Sequence, residues 1–362
     1  MEVAKPKKIA FCITCMNRLH HLQQTLEKNI RDNYLPEDVE FVLLDYNSKD
    51  GLDEWIRQNM QTHIDTGILV YYKTLEPEYY FRSHSRNMAF RLANAGILCN
   101  LDADNFLGEG FASFTINEFA AHESVFYTSD ESSHDTFGRI CVKQNDFLLI
   151  KGYNESLQGY GYEDVDLFDR LIKNGLERKF FHNPEFYRSV IHSKAERISN
   201  EYMIKNMEQM YITYINPYSS GILLLYRDYT FHHCILIDTP HLYRLPRFLI
   251  PDNYTEERNE VTLQEDYLKG RWQDKDNEII LHQNRNTEAF PKNESRIYYQ
   301  NCPYYRILDK ELETELIILL NVAMNRYSAQ KQLRENQAVN TDGFGKGCVF
   351  KNFDWNTKIV LS

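Results

Sequence analysis

"SRNMAFRLANAGILCNLDADN", residues 85–105, changes character midway. Its first part reads as a helix closed by Gly96, and its second as a short apolar strand ending in acids. The same alternation recurs on the N-terminal side. "KIAFCITC" (8–15), "VEFVLLDYN" (39–47) and "GILVYYKT" (67–74) read as strands. "RLHHLQQTLEKNI" (18–30), with Leu19, Leu22 and Leu26 on one side, and "GLDEWIRQNM" (51–60) read as helices. Strands alternating with helices predict an α/β fold with a mostly parallel sheet covered on both faces. Ligands in such sheets bind at the carboxyl ends of the strands.

Towards the C-terminus the pattern loosens. "TSDESSHDTFGR" (128–139) reads as a loop. "YRSVIHSKAER" (187–197) carries a short apolar run into a helix expected over 198–215. After Pro217 the composition shifts: residues 221–250 are apolar and aromatic, and 252–308 are polar. "LETELIILLNVAMNRYSAQKQL" (312–333) is a long helix candidate, and the tail from 343 mixes glycine turns with strand-like pieces. These changes place a soft boundary near 217–230, dividing the chain into an N-terminal domain over 1–225 and a C-terminal α/β accessory region over 226–362.

The totals narrow the function. The chain has 362 residues, 43% of them apolar, and a formal net charge of -11. That charge argues against nucleic acid as the main partner, because phosphate binding needs surplus Lys and Arg. The first residues show no signal peptide, and no stretch approaches a membrane span. The seven cysteines form no framework and suit free thiols in a reducing compartment. Cys12 and Cys15 have the spacing of a redox or zinc pair. They lie in a buried strand, however, where positions three apart face opposite ways.

Three other motifs carry possible chemistry. "LDADN" puts Asp102 and Asp104 just past a strand, where paired carboxylates suit a hard divalent cation, or simply a polar turn. "DYNSKDGLDEWI" fails as an EF-hand: Lys49, Asp50 and Ile56 occupy positions that need an oxygen ligand, the turn glycine and the closing Glu. No phosphate-binding Gly-Lys loop, dinucleotide fingerprint or nucleophile elbow is present. "GYGYEDVDLFDRL" (159–171) runs two Tyr-Gly steps into Glu163, Asp164 and Asp166 at a helix start. Acids there favour the helix dipole, which should keep Asp164 ionised. Val165, Phe168, Leu171 and Ile172 would form the apolar face, and Asn174-Gly175 the stop.

"MNRLHHL", "DAD", "GYGYEDVD" and "IHSKAE" follow one another in the order seen in GT-A-fold glycosyltransferases. The chain resembles that group over about residues 8 to 200, in the style of family 2 and the β-1,4-galactosyltransferase type. The resemblance implies a metal-dependent, inverting transfer of a hexose or N-acetylhexosamine, galactose type, from a UDP-sugar to a carbohydrate or glycolipid acceptor, as in polysaccharide biosynthesis. It implies that Thr14, Asn17, Arg18 and Asp45 lie near the nucleotide, with Arg82 and Arg86 near the diphosphate or donor sugar. Asp102, Asp104 and His192 would hold Mn2+ or Mg2+. Tyr160 and Tyr162 would line the acceptor site, and Glu163 and Asp164 would meet the acceptor, with Asp164 as general base.

The chain also departs from that pattern. Asp45-Tyr46 replaces two consecutive acids, Ser189 stands where galactosyltransferases carry a Met metal ligand, and Tyr162 replaces a small Gly. Lacking a Golgi anchor, the chain is expected to be cytoplasmic or peripheral to a membrane. The alternatives are an inactive nucleotide-sugar or glycan-binding protein of the same fold, a glycoside hydrolase with paired carboxylates, and a nucleotidyltransferase.

Overall fold

The computed structural model describes residues 6–130, 135–216, 219–237, 268–283 and 286–362. Parts of the expected loop over 128–139, of the apolar stretch 221–250 and of the polar stretch 252–308 lie outside the described residues. The chain divides into two compact units. The first is Met1–Gln158, Tyr162–His192 and Gln332–Ser362; the second is Gly159–Gly161 and Ser193–Lys331.

Among the described residues, the first unit is built on seven strands, β1 (Lys7–Cys15), β2 (Val39–Tyr46), β3 (Leu69–Thr74), β4 (Ala95–Asn100), β5 (Val125–Thr128), β6 (Ile140–Lys143) and β7 (Glu177–Phe180). A C-terminal hairpin, Gly347–Lys351 and Asp354–Leu361, completes the sheet in the order hairpin, β3, β2, β1, β4, β6, β5, β7. β1 runs parallel to β2 and β4, in register from Ile9↔Val39 and from Lys7↔Ala95. β2 and β3 are also parallel, while β6 and the hairpin are antiparallel to their neighbours. The α/β expectation therefore holds: the centre of the sheet is parallel and the edges are mixed.

Helices α1 (Leu19–Asp32), α2 (Leu52–Asn59), α3 (Gln61–Asp65), α4 (Arg82–Leu92), α5 (Phe111–Ala121), α6 (Gln144–Leu149) and α7 (Glu163–Lys173) cover it. Residues of α1, α2, α3 and α5 share one core with Phe11, Phe41 and Leu43, and residues of α4, α6 and α7 share another with Ala10, Val42 and Leu44. Cys15 packs into the first core and Cys12 into the second. The two thiols thus point to opposite faces of β1, as the strand period requires.

Two local expectations are corrected here. Gly96 does not close α4. The helix ends at Leu92, Ala93 turns extended, and the Asn94 N–H donates to Glu40 Oε1 at 2.6 Å. Gly96 instead lies within β4. On α7 the buried apolar residues are Leu167, Phe168 and Leu171, while Val165 is only part-buried and Ile172 is 49% exposed. That rotation puts Asp164, three and four positions before Leu167 and Phe168, on the buried face. Asn174 and Gly175, at φ 93°, end the helix as expected.

Among the described residues, the second unit is an eight-stranded antiparallel sheet. Its strands are β8 (Met207–Asn216), β9 (Ser219–Tyr226), β10 (Thr230–Ile237), β11 (Leu268–Lys275), β12 (Glu278–Gln283), β13 (Asn286–Pro291), β14 (Arg296–Tyr299) and β15 (Cys302–Arg306). Leu316, Ile317 and Leu320 of α10 (Lys310–Arg334) pack on one face with Met210, Ile222 and Leu224. This confirms the long helix read over 312–333.

The helix expected over 198–215 is overturned. Only the short α8 (Lys194–Ile198) and α9 (Tyr202–Asn206) are helical, and 207–216 is β8, paired with β9 from Met207↔Tyr226. Tyr211, Ile212, Thr213 and Tyr214 are aromatic or β-branched, a composition that favours a pleated surface. The unit boundaries also differ from 1–225 and 226–362: β8 and β9 belong to the second unit, and the C-terminal hairpin to the first. No helix among the described residues is long and apolar enough to cross a membrane.

Candidate active site

The site in the first unit begins with α1, whose buried face is only partly apolar. Thr25, Asn29 and Asn33 follow at four-residue spacing and are buried. Thr25 Oγ1 donates to Ala103 O at 2.7 Å, and Asn29 Nδ2 donates to Asn105 O at 2.9 Å. Asn29 Oδ1 accepts from Leu107 N, and Asn33 bonds Gly108 O and Ala112 N. This ladder satisfies buried backbone groups of the turn after β4 and so fixes its shape. Reading α1 for leucines alone misses it, although three small polar residues along a buried helix face were a visible signal.

Arg139 clamps the same turn from the other side. It is 1% exposed and donates to the Phe186 carbonyl, to Asn105 Oδ1 at 3.2 Å and to Phe106 O at 2.9 Å. Burial lowers its pKa from the usual arginine value. Nothing in the sequence marks Arg139, since its acceptors are backbone carbonyls and one amide from distant segments. Phe106 N bonds Arg188 O, Val190 N bonds Asp104 O at 2.7 Å, and Asn105 bridges Ser189. These contacts lay the 188–192 segment beside the turn. His192 Nε2 thereby comes 2.7 Å from Asp104 Oδ2, both side chains being mostly buried.

A second cluster gathers around Arg86 of α4, which is 3% exposed. Its Nη1 donates to Asp164 Oδ1 at 2.8 Å and to Glu163 Oε1 at 3.3 Å, and its Nη2 donates to Asp102 Oδ1 at 3.2 Å. Asn100 Nδ2 also donates to Asp102 Oδ1, and to Gly138 O. Gly138 leaves room for this cluster: a Cβ would come 2.9 Å from Asp164 Oδ2 and 3.1 Å from Arg86 Nη2, so a larger residue would press on both side chains. Glu163 Oε2 is buried and makes no hydrogen bond. An unsatisfied buried carboxylate oxygen is costly, and a ligand hydroxyl would relieve it.

The cluster's electrostatics correct one expectation. Asp164 is pushed up to about 7, chiefly by burial, which outweighs Arg86; Glu163 and Asp102 push in the same direction as burial. A helix N-terminus stabilises a carboxylate by less than 2 kcal/mol or so. Loss of hydration at a buried position outweighs that. For Asp102 burial also acts upward, but Arg86, the Asn100 amide and Arg82 together hold it below the usual carboxylate value.

The structure does not gather all the residues expected to bind the donor. Thr14 Oγ1 lies 2.7 Å from Tyr80 Oη, and the Arg82 guanidinium lies 5.6 Å from the Tyr80 ring centre. Asn17 stands at φ 55° and its Oδ1 accepts from Lys49 N, so it shapes the turn after β2. Arg18 Nη1 lies 3.4 Å from His21 Nδ1. Asp45 is fully buried and bound by Tyr71 Oη, Ser48 N and Lys73, which leaves it no surface for a nucleotide.

Tyr162 caps α7 at φ 72°, a conformation a side chain rarely takes and one that a glycine would adopt without strain. Tyr160 belongs to the second unit, where its hydroxyl accepts from Arg197 Nη1 at 3.1 Å. The two glycines flanking Tyr160 have a packing role in that unit. A Cβ on Gly159 would meet Asn321 at 2.4 Å, and one on Gly161 would meet Val322 at 2.6 Å.

Solved structures with similar coordinates include a mannosyltransferase, PcManGT from Pyrobaculum calidifontis, in complex with GDP-Man and Mn2+ (17% identity, 50% of this chain and 56% of that chain, TM-score 0.42). Others are S. aureus TarS 1-349 (12% identity, 52% and 61%, TM-score 0.43) and GalNAc-T7 with UDP, GalNAc and Mn2+ (13% identity, 49% and 43%, TM-score 0.41). The match spans less than two thirds of each of those chains. Residues 122–204, which hold Glu163, Asp164 and His192 but not Asp102 or Asp104, match the family model described as the N-terminal domain of galactosyltransferase, so the chain is similar to glycosyltransferases there, in keeping with the resemblance read from its motifs.

Proposed function

We propose that the protein is a metal-dependent, inverting glycosyltransferase that moves a hexose or N-acetylhexosamine, of galactose type, from a UDP-sugar to a carbohydrate acceptor. The observation that carries this reading is the meeting of Asp102, Glu163 and Asp164 on one buried arginine. Residues from the strand end and from the acidic helix start thereby share a site. Inverting transfer needs one carboxylate to take the acceptor hydroxyl proton, and Asp164, poised near neutral, suits that work. Glu163 offers its unbonded Oε2 to an acceptor hydroxyl. Arg82 would bear the charge of the donor's phosphates, while Arg86, buried and bonded to three carboxylates, holds the cluster together.

The paired imidazole and carboxylate of His192 and Asp104 fit a divalent ion such as Mn2+ or Mg2+, with Asp102 as a further oxygen donor. Such an ion, when bound, offsets charge on the leaving nucleoside diphosphate. UDP binding should then depend on it. Calorimetry should show affinity falling about tenfold or more with EDTA, and likewise for His192→Ala, the range typical of a damaged metal site. Affinity indifferent to EDTA would remove the metal from the proposal.

Glu163→Gln should raise KM for acceptor with little change in kcat, measured by steady-state transfer. An unchanged KM would take Glu163 out of the acceptor site. Tyr160→Ala, with acceptor KM as readout, tests the Tyr-Gly loop; an unchanged KM would take that loop out of acceptor binding. UDP binding without any turnover would favour the inactive binding protein.

A further inference from the structure

The first unit holds a cavity of about 560 Å³ outside the cluster on Arg86. Its walls are the exit of β3, the first two turns of α4, the 155–157 turn and the C-terminal hairpin. None of the described residues lining it belongs to the donor set proposed above. α4 separates the two regions. Arg82 and Arg86, four apart, serve the carboxylate cluster, whereas Ser83, His84 and Met88 line the cavity. An aromatic layer backs this division: Tyr80 meets Thr14, its ring meets Tyr46 at 5.8 Å, and Tyr46 Oη meets His84 Nδ1 at 2.6 Å.

The lining has a definite chemistry. Leu75, Phe81, Met88, Leu157 and Phe350 make it largely apolar. Ser83 lines it too, is 2% exposed, and its hydroxyl has no hydrogen-bond partner. α4 starts here with no capping side chain and no acid in its first turn, so its own first turn does not offset its positive end. Lys346 and Lys358 add two cations. Of the two acids, Glu155 is already bonded to Asn87 Nδ2 and Gly345 N, and Glu76 is exposed. His84 is committed as well, because its Nε2 donates to Lys346 O at 2.8 Å.

We propose that this cavity is a second binding site, taking a small organic anion with an apolar body. The anionic head would meet Ser83, the α4 N-terminus and the two lysines, and the body would lie on Leu75, Phe81 and Phe350. A pocket of this size with apolar walls and a few convergent polar groups is the usual form of a small-molecule site.

The test uses 8-anilinonaphthalene-1-sulfonate, a fluorescent apolar anion, on the full chain. Saturable binding at one site per chain is expected, unaffected by saturating UDP with Mn2+. The double variant Lys346→Glu, Lys358→Glu should weaken it at least about fivefold, by reversing two charges near the ligand. Leu75→Trp, at an exposed position on the rim, should block it. In the unmodified chain the dye should slow alkylation of Cys348, a part-buried free thiol in the lining, by iodoacetamide. Absence of saturable binding, displacement by UDP, or alkylation of Cys348 at the same rate with and without dye would each overturn the proposal.

Discussion

Arg86→Met should cost about 3–5 kcal/mol of stability, the range for removing one partner from a buried ion pair. Arg86 faces three carboxylates, and without it Glu163 and Asp164 would stay buried with no cation in contact. Methionine fills similar space, so the loss would come from charge rather than from a cavity. The measurement is the urea midpoint of the full chain, compared at equal denaturant slope. Arg86→Lys should fall between the two, since it keeps a charge but loses the two-nitrogen fork that reaches Asp164 and Asp102 together. A midpoint unmoved in Arg86→Met would mean that the cluster is held by its backbone alone.

Asp164→Asn should lower kcat by about 10² to 10⁴, the usual contribution of a general base. Asparagine keeps the shape and can still accept from Arg86, so UDP affinity should survive. The pH profile separates a base from a structural acid. The Asp164 carboxyl sits near 7 because burial raises it, so it gains a proton as pH falls through that value. kcat/KM should therefore drop about tenfold per unit below neutral and level off above it. The residual activity of Asp164→Asn should lack this limb. Near-normal kcat in a folded Asp164→Asn would leave the acidic helix start with a structural role only.

The central parallel sheet was legible because β1, β2, β3 and β4 are continuous apolar runs broken by helical periods, and local pattern suffices for that. The acidic motifs were legible because residues 102–104 and 163–166 are contiguous in the chain. Residues 207–216 were misread because an apolar and aromatic run suits either period. Pairing with β9 decided the outcome, and that partner is not encoded in the run itself. Likewise, the helix start by itself points to an ionised Asp164. Only the fold could show that desolvation beside Glu163 and Asp102 outweighs the helix dipole and Arg86. Asp45 has the right residue type at the right strand end, yet Tyr71 and Lys73 of the neighbouring strand enclose it. Arg139, Gly138 and the Thr25–Asn29–Asn33 ladder gain their meaning from carbonyls and carboxylates brought close only by folding. The amino-acid order determined which elements form and which acids stand at their ends. Desolvation and long-range hydrogen bonding, which depend on neighbours distant in the chain, decided which of those acids are held, which are charged and which are closed off.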